Sequence, residues 1–203
     1  MRLLGERRRA ATQAAAIVLW PVLVAVVPAP ADQEASNVPH VVVSSYGRCY
    51  AKSVPQAYYG SEGTTHVLRV AKGQDVPLHS FDWFSQRIHI ACNVSDNKTP
   101  TGVSVVRFGP WARWHAASSD HLALGFYFKG ELLTEYSTLD IAGTPDNVSR
   151  SVSHYTVIEE VLGYERQDGN GYVFRVTTND GRTLSFDPAT GELNSTEPSA
   201  PDC

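Results

Sequence analysis

Residues 121–138, His121-Leu-Ala-Leu-Gly-Phe-Tyr-Phe-Lys-Gly-Glu-Leu-Leu-Thr-Glu-Tyr-Ser-Thr138, decide the class of fold. In an extended chain Leu122, Leu124, Phe126 and Phe128 face one way and His121, Ala123, Gly125 and Tyr127 the other, because successive strand side chains alternate between faces. A helix would scatter the same four apolar residues around its axis. Lys129-Gly130 supplies a two-residue turn, and Leu132, Thr134, Tyr136 and Thr138 continue the alternation. The stretch predicts a tight antiparallel hairpin.

Working outward, the same period of two recurs. From Phe84 to Val94 the apolar face is Phe84, Ile88, Ile90, Cys92 and Val94, opposed by Ser85, Arg87, His89 and Asn93. Further strands are expected at Val38–Tyr46, Arg48–Ser53, Thr65–Ala71 and Gly102–Phe108. Toward the C-terminus, Ser153–Glu165 is read as a strand, although Thr156–Leu162 also fits two helical turns. Tyr172, Phe174 and Val176 alternate, Asn179-Asp180-Gly181 reverses the chain, and Leu184 and Phe186 complete a three-stranded meander. Asp187-Pro188 ends the last strand, since proline cannot donate to a ladder. The expected class is all-β: an antiparallel β-sandwich or partly open barrel, with a main domain over 38–145. The C-terminal meander, 146–193, would pack on it, leaving a polar tail at 194–203.

The stretch from Asn170 to Leu193 resembles the closing hairpin of PepSY-type modules, which occur in exported bacterial proteins, some of them beside peptidase propeptides. The resemblance spans 24 residues and lacks the helix that precedes the hairpin in those modules. No functional residue is carried over from it.

The first 31 residues read as an export signal. Arg2, Arg7, Arg8 and Arg9 form a basic start, Ala14 to Val27 an apolar run, and Ala29-Pro30-Ala31 a small-x-small cleavage pattern. The run is too short for a spanning helix and carries Pro21 in its middle. A cleaved signal helix over 1–31 and a linker over 32–37 are therefore expected, in a secreted or periplasmic protein that meets a membrane only through an uncleaved leader. The full chain of 203 residues has 17 Lys and Arg against 21 Asp and Glu, a net charge of −4. Cleavage would remove four arginines and Glu6, leaving 13 basic and 20 acidic side chains. Such a chain has no bulk positive charge for a nucleic-acid partner. In an oxidising compartment a disulfide is expected, and Cys49–Cys92 is the favoured pair, because both lie in strand-like segments. Cys203 would remain free or pair between molecules. Asn93, Asn97, Asn147 and Asn194 begin Asn-x-Ser/Thr sequons, which carry glycans only in a eukaryotic secretory pathway.

No Gly-x-Ser-x-Gly elbow, His-Glu-x-x-His, Walker loop, Cys-x-x-Cys or Gly-x-Gly-x-x-Gly occurs. The seven histidines form no pair at metal-ligand spacing, so neither metal nor cofactor is called for. The distinctive feature is aromatic density beside polar groups: Trp83 in Phe81-Asp-Trp-Phe84, and Trp111, Arg113, Trp114 and His115 after the strand-breaking Gly109-Pro110. Tryptophans on a loop beside charged groups suit stacking on sugar faces or gripping a peptide, while the same rings buried would plug an open end of the fold. The favoured expectation is a non-catalytic ligand-binding or interaction module, with Trp83, Trp111, Arg113, Trp114 and His115 meeting a carbohydrate or peptide. The alternatives are a hydrolase assembled from His115, Asp120 and His121, or a structural envelope component using a sheet edge.

Overall fold

The structure, a computed structural model, describes residues 34–94, 101–167 and 171–198. The leader, residues 32–33, Asn97, the Asp168-Gly169-Asn170 turn and Cys203 lie outside the described residues.

The described chain is all-β. Its strands are β1 (His40–Val43), β2 (Cys49–Pro55), β3 (Gly63–Arg69), β4 (Val76–Phe81), β5 (Ile88–Val94), β6 (Gly102–Phe108), β7 (Ala112–Arg113), β8 (Leu122–Phe128) and β9 (Glu131–Ser137). After the short helix α1 (Thr138–Ala142) come β10 (Ser149–Arg150), β11 (His154–Thr156), β12 (Ile158–Arg166), β13 (Tyr172–Thr178), β14 (Arg182–Phe186) and β15 (Leu193–Pro198). They pair into four antiparallel sheets, ordered β1-β2-β3-β4, β5-β6-β8-β9, β12-β13-β14-β15 and β10-β11-β7, with no closed barrel.

The β5-β6-β8-β9 sheet is apolar on both faces, and this organises the core. On one face Ile88, Ile90, Val105 and Tyr127 pack with Cys49, Ala51, Val67, Phe81 and Trp83. On the other, Val106, Phe108, Leu124 and Phe126 pack with Phe174, Val176, Leu184 and Phe186 of the C-terminal sheet. Phe126 meets Phe186 at 5.0 Å and Phe174 edge-on at 5.9 Å between ring centroids, spacings at which aromatic pairs attract beyond their burial. A strand covered on both faces reads as a continuous apolar run, and every residue of β8 from Ala123 to Phe128 is buried. The hairpin turns at Lys129-Gly130, whose φ values of 54° and 89° are those of a primed turn. Cys49 and Cys92 are bonded, with Cα atoms 6.3 Å apart, and tie β2 to β5. Asn93, at φ 61°, lies where the β5–β6 register shifts between Ala91 and Val94, so the alternation read from Phe84 breaks at a bulge.

Four details depart from the expectations. The C-terminal meander has four strands, because Leu193–Pro198 pairs with β14 where a polar tail was expected. An edge strand half open to water needs no apolar alternation. The strand after Gly130 stops at Ser137, whose hydroxyl accepts the Asp140 N–H while the Asp140 carboxylate accepts the Ser137 N–H at 2.8 Å. That capping box starts α1 before Thr138 can extend the strand. Val76–Phe81, unassigned from sequence, forms β4. The segment Ser153–Glu165 is extended as expected, but as two strands, β11 and β12, parted at Val157. Among the described residues no helix is long and apolar enough to cross a membrane.

Candidate functional site

Gly109 and Pro110 end β6 and open a cleft. An added Cβ on Gly109 would lie 1.8 Å from the Leu122 carbonyl oxygen, and the Gly109 N–H donates to Ala123 O at 3.1 Å. Only glycine lets the chain pass that close to β8. Pro110 then turns the chain out, and β7 pairs Ala112 with Tyr155 and Arg113 with His154 of β11. The expected loop from Trp111 to Trp114 is therefore pinned in its middle by a two-residue strand, with one tryptophan on either side.

The two indoles are treated differently. Trp111 stacks on the His154 ring at 4.3 Å and 17°. Trp114 stands out at 75% exposure. Its φ is +79°, a left-handed conformation that bulky L-residues rarely adopt, held by its N–H donating to Ser153 O at 3.1 Å. Arg113, beside it, has a largely exposed side chain and reaches Glu34 at 3.6 Å; the same Glu34 oxygen is 3.7 Å from His154 Nε2.

Between these groups lies an open cleft of about 560 Å³, lined among others by Glu34, Tyr59, Ser61, Arg107, Trp111, Arg113, Trp114, Asp120 and His121. A second depression of about 460 Å³ shares Glu34, Pro110 and Trp111 and continues toward Gln86 and Arg87. His121 is held from behind. Thr138 Oγ1 donates to Ser118 O at 2.9 Å, so the Tyr155 hydroxyl, 2.8 Å away, donates to Thr138. The 2.7 Å contact between Tyr155 and His121 Nδ1 then takes its proton from the imidazole. In its neutral form the ring has Nε2 left as an acceptor.

Of the residues singled out from sequence, Trp111, Arg113, Trp114, Asp120 and His121 come together here. Trp83 does not. It is only 7% exposed, stacked on Phe81 at 5.0 Å and tilted against Tyr127 at 5.4 Å. Those partners cover it because Tyr127 projects from the β8 face opposite Phe126. His115 also stands apart: its Nε2–H donates to Val152 O at 3.1 Å and its carbonyl accepts from Arg150 Nε at 2.8 Å. Asp120 is bonded through its backbone and carboxylate to Ser118 and Ser119. No hydrogen bond or ion pair joins His115, Asp120 and His121 to one another, and among the described residues no three His, Cys, Asp or Glu side chains converge as a metal cage. Sequence reasoning missed Glu34, Ser61 and Arg107, whereas Tyr58-Tyr59 raises the same question as the tryptophans from sequence alone and Tyr59 does line the cleft. The available signal was Arg107, the one charge in the mainly apolar Gly102–Phe108 strand.

Compared with known proteins, the chain matches no protein-family model and no curated protein sequence. The PepSY-like likeness of residues 170–193 has no family match behind it, and a strand, β12, precedes that hairpin where those modules have a helix.

Proposed function

We propose that this chain is a non-catalytic carbohydrate-binding module of an exported protein, with its ligand lying in the Trp111–Arg113–Trp114 cleft. One observation carries the reading: a tryptophan is held in a left-handed backbone conformation with its ring in water. Exposing an indole forgoes burial, and the left-handed region adds backbone strain. Such strain concentrates at binding and catalytic sites, where it aims a group. An aromatic face bordered by a guanidinium, a carboxylate and an imidazole acceptor suits a sugar ring, which offers an apolar face for stacking and hydroxyls for the polar rim. The Cys49–Cys92 bond is the state that thiols reach in an oxidising compartment, compatible with a secreted or periplasmic protein.

The hydrolase reading has less support, since His115 is engaged elsewhere and His121, held by the Tyr155 hydroxyl, meets no carboxylate among the described residues. A structural envelope role would draw on the β1 edge, where Val41 and Val43 are exposed. The binding proposal is tested by titrating the protein with neutral and acidic oligosaccharides and with short peptides while following tryptophan fluorescence. A saturable change with a sugar, lost in Trp114→Ala, supports it. A response only to peptides, or one that Trp114→Ala leaves intact, overturns it.

A further inference from the structure

Among the described residues, Arg107 is a cation without an anion. It follows Val106 in β6 and projects from the Val105 face, against which Trp83 packs. Its guanidinium carbon lies 5.0 Å over the Trp83 ring. Its Nε is shut off from solvent with no hydrogen-bond partner, and so is the Trp83 Nε1 beneath it. Arg113, Arg150, Arg175 and Arg182 each have a carboxylate within 4.0 Å, whereas none reaches Arg107 among the described residues. The acids of the cleft are otherwise engaged: Glu34 faces Arg113 and His154, and the exposed Asp120 accepts from Ser119 at 3.4 Å.

Shutting part of a charged group off from water with no hydrogen-bond partner is costly, and fixing a long side chain in one place adds to that cost. Stacking on an indole offsets part of it and holds the guanidinium plane fixed. What remains is a planar, preorganised donor fork on the cleft wall, the geometry that matches a carboxylate through two parallel hydrogen bonds.

We infer that Arg107 receives a carboxylate carried by the ligand, so that the cleft selects an acidic sugar of the uronate kind over a neutral one. This rests on the carbohydrate reading above and adds the class of sugar. Trp114 would stack on a ring and Arg107 would read its charge.

The experiment compares tetragalacturonate, its full methyl ester and tetraglutamate as calorimetric ligands of the wild-type chain and of Arg107→Met and Trp114→Ala. The expected result is that the acid binds roughly 10- to 100-fold more tightly than the ester, the span of a charge-assisted hydrogen bond. Arg107→Met erases that difference, and Trp114→Ala weakens both sugars alike. Because Arg107 has no ion pair among the described residues to lose, Arg107→Met is expected to hold its Tm within about 2 °C of wild type. A lowered Tm with the acid preference intact would mark Arg107 as a strut and overturn the inference. Should Arg107→Met fail to fold, Arg107→Lys keeps the charge without the fork and is expected to cut the preference several-fold; an unchanged preference overturns the inference. Equal binding of acid and ester by the wild type overturns the charge selection and leaves the sugar cleft standing. Binding of neither sugar, or of tetraglutamate alone, overturns both.

Discussion

The backbone at Trp114 offers a sharp test, because two substitutions there should rank in the reverse of their usual order. At φ +79° a residue with a Cβ carries the left-handed penalty, about 1–2 kcal/mol, which glycine escapes. Glycine in turn loses about 0.5–1 kcal/mol more chain entropy on folding than alanine. The difference favours glycine by roughly 0.5–1 kcal/mol. Both variants forfeit the same ring, which is 75% exposed. If such a ring buries up to about 250 Å², the quarter lost corresponds to at most about 1.5 kcal/mol at 25 cal/mol per Å². Trp114→Gly should therefore lie close to wild type, and Trp114→Ala roughly 0.5–1 kcal/mol below the glycine variant, a Tm gap of roughly 1–4 °C. Urea unfolding of the three proteins, followed by far-UV circular dichroism, measures the ranking. Both variants should lose sugar binding, since neither has the indole. If alanine proves as stable as glycine, the left-handed strain is not present, and if binding survives in either, the exposed ring does not serve the ligand.

Three further expectations come from other parts of the molecule. Replacing both Cys49 and Cys92 by serine frees a loop of sequence separation 43, which the chain-entropy relation values at roughly 4 kcal/mol; urea midpoints with and without reductant measure the loss, and no shift would mean the bond adds nothing. Gly109→Ala drives a methyl group to 1.8 Å from the Leu122 carbonyl oxygen, so β8 or the Pro110 turn must move; we expect a loss of roughly 3 kcal/mol or more together with a weakened cleft, and a variant of wild-type stability and binding would contradict the geometry. His89 packs against Phe108 at 5.6 Å and Phe174 at 5.5 Å, and burial, reinforced by the Arg87 charge, holds its pKa below the ordinary 6.5. Below pH 6.5 the unfolded chain takes up a proton that the fold refuses, so this contribution is full above pH 6.5 and is lost on acidification toward the lower folded value. Stability should fall less steeply between pH 7.5 and about 5.5 in His89→Gln than in wild type, and parallel profiles would refute the assignment.

Much of the fold is legible in the sequence, for a reason visible in β6 and β8. Where a strand lies between two apolar layers, its residues are strongly constrained, and Gly102–Phe108 is bounded as its alternation predicts. The Lys129-Gly130 hairpin is equally plain, because primed turns admit few residue types. What escapes is edge and end. β4 begins Val76-Pro77 and has exposed residues, and β15 is Leu-Asn-Ser-Thr-Glu-Pro, so neither carries an apolar face to betray it. At five residues α1 is too short for a helical period, and only its Ser137-x-x-Asp140 box announces it. The cleft was half legible. Gly109-Pro110 marks where the chain leaves the sheet, and thus points to Trp111, Arg113 and Trp114. Sequence could not separate Trp83 from them, since its burial depends on Tyr127 arriving from a strand 44 residues away. Glu34, Tyr59 and Arg107 reach the same cleft from three distant segments, and no local pattern joins those.

The most direct measurement is the indole N–H spectrum of isotopically labelled protein during titration with tetragalacturonate. The account predicts one saturable binding event in which the Trp114 signal moves furthest and Trp111 follows, and in the variant with Arg113 and Trp114 replaced together the Trp111 signal no longer moves. Indole signals that stay fixed at saturating sugar, or that move at Trp83 alone, would contradict it.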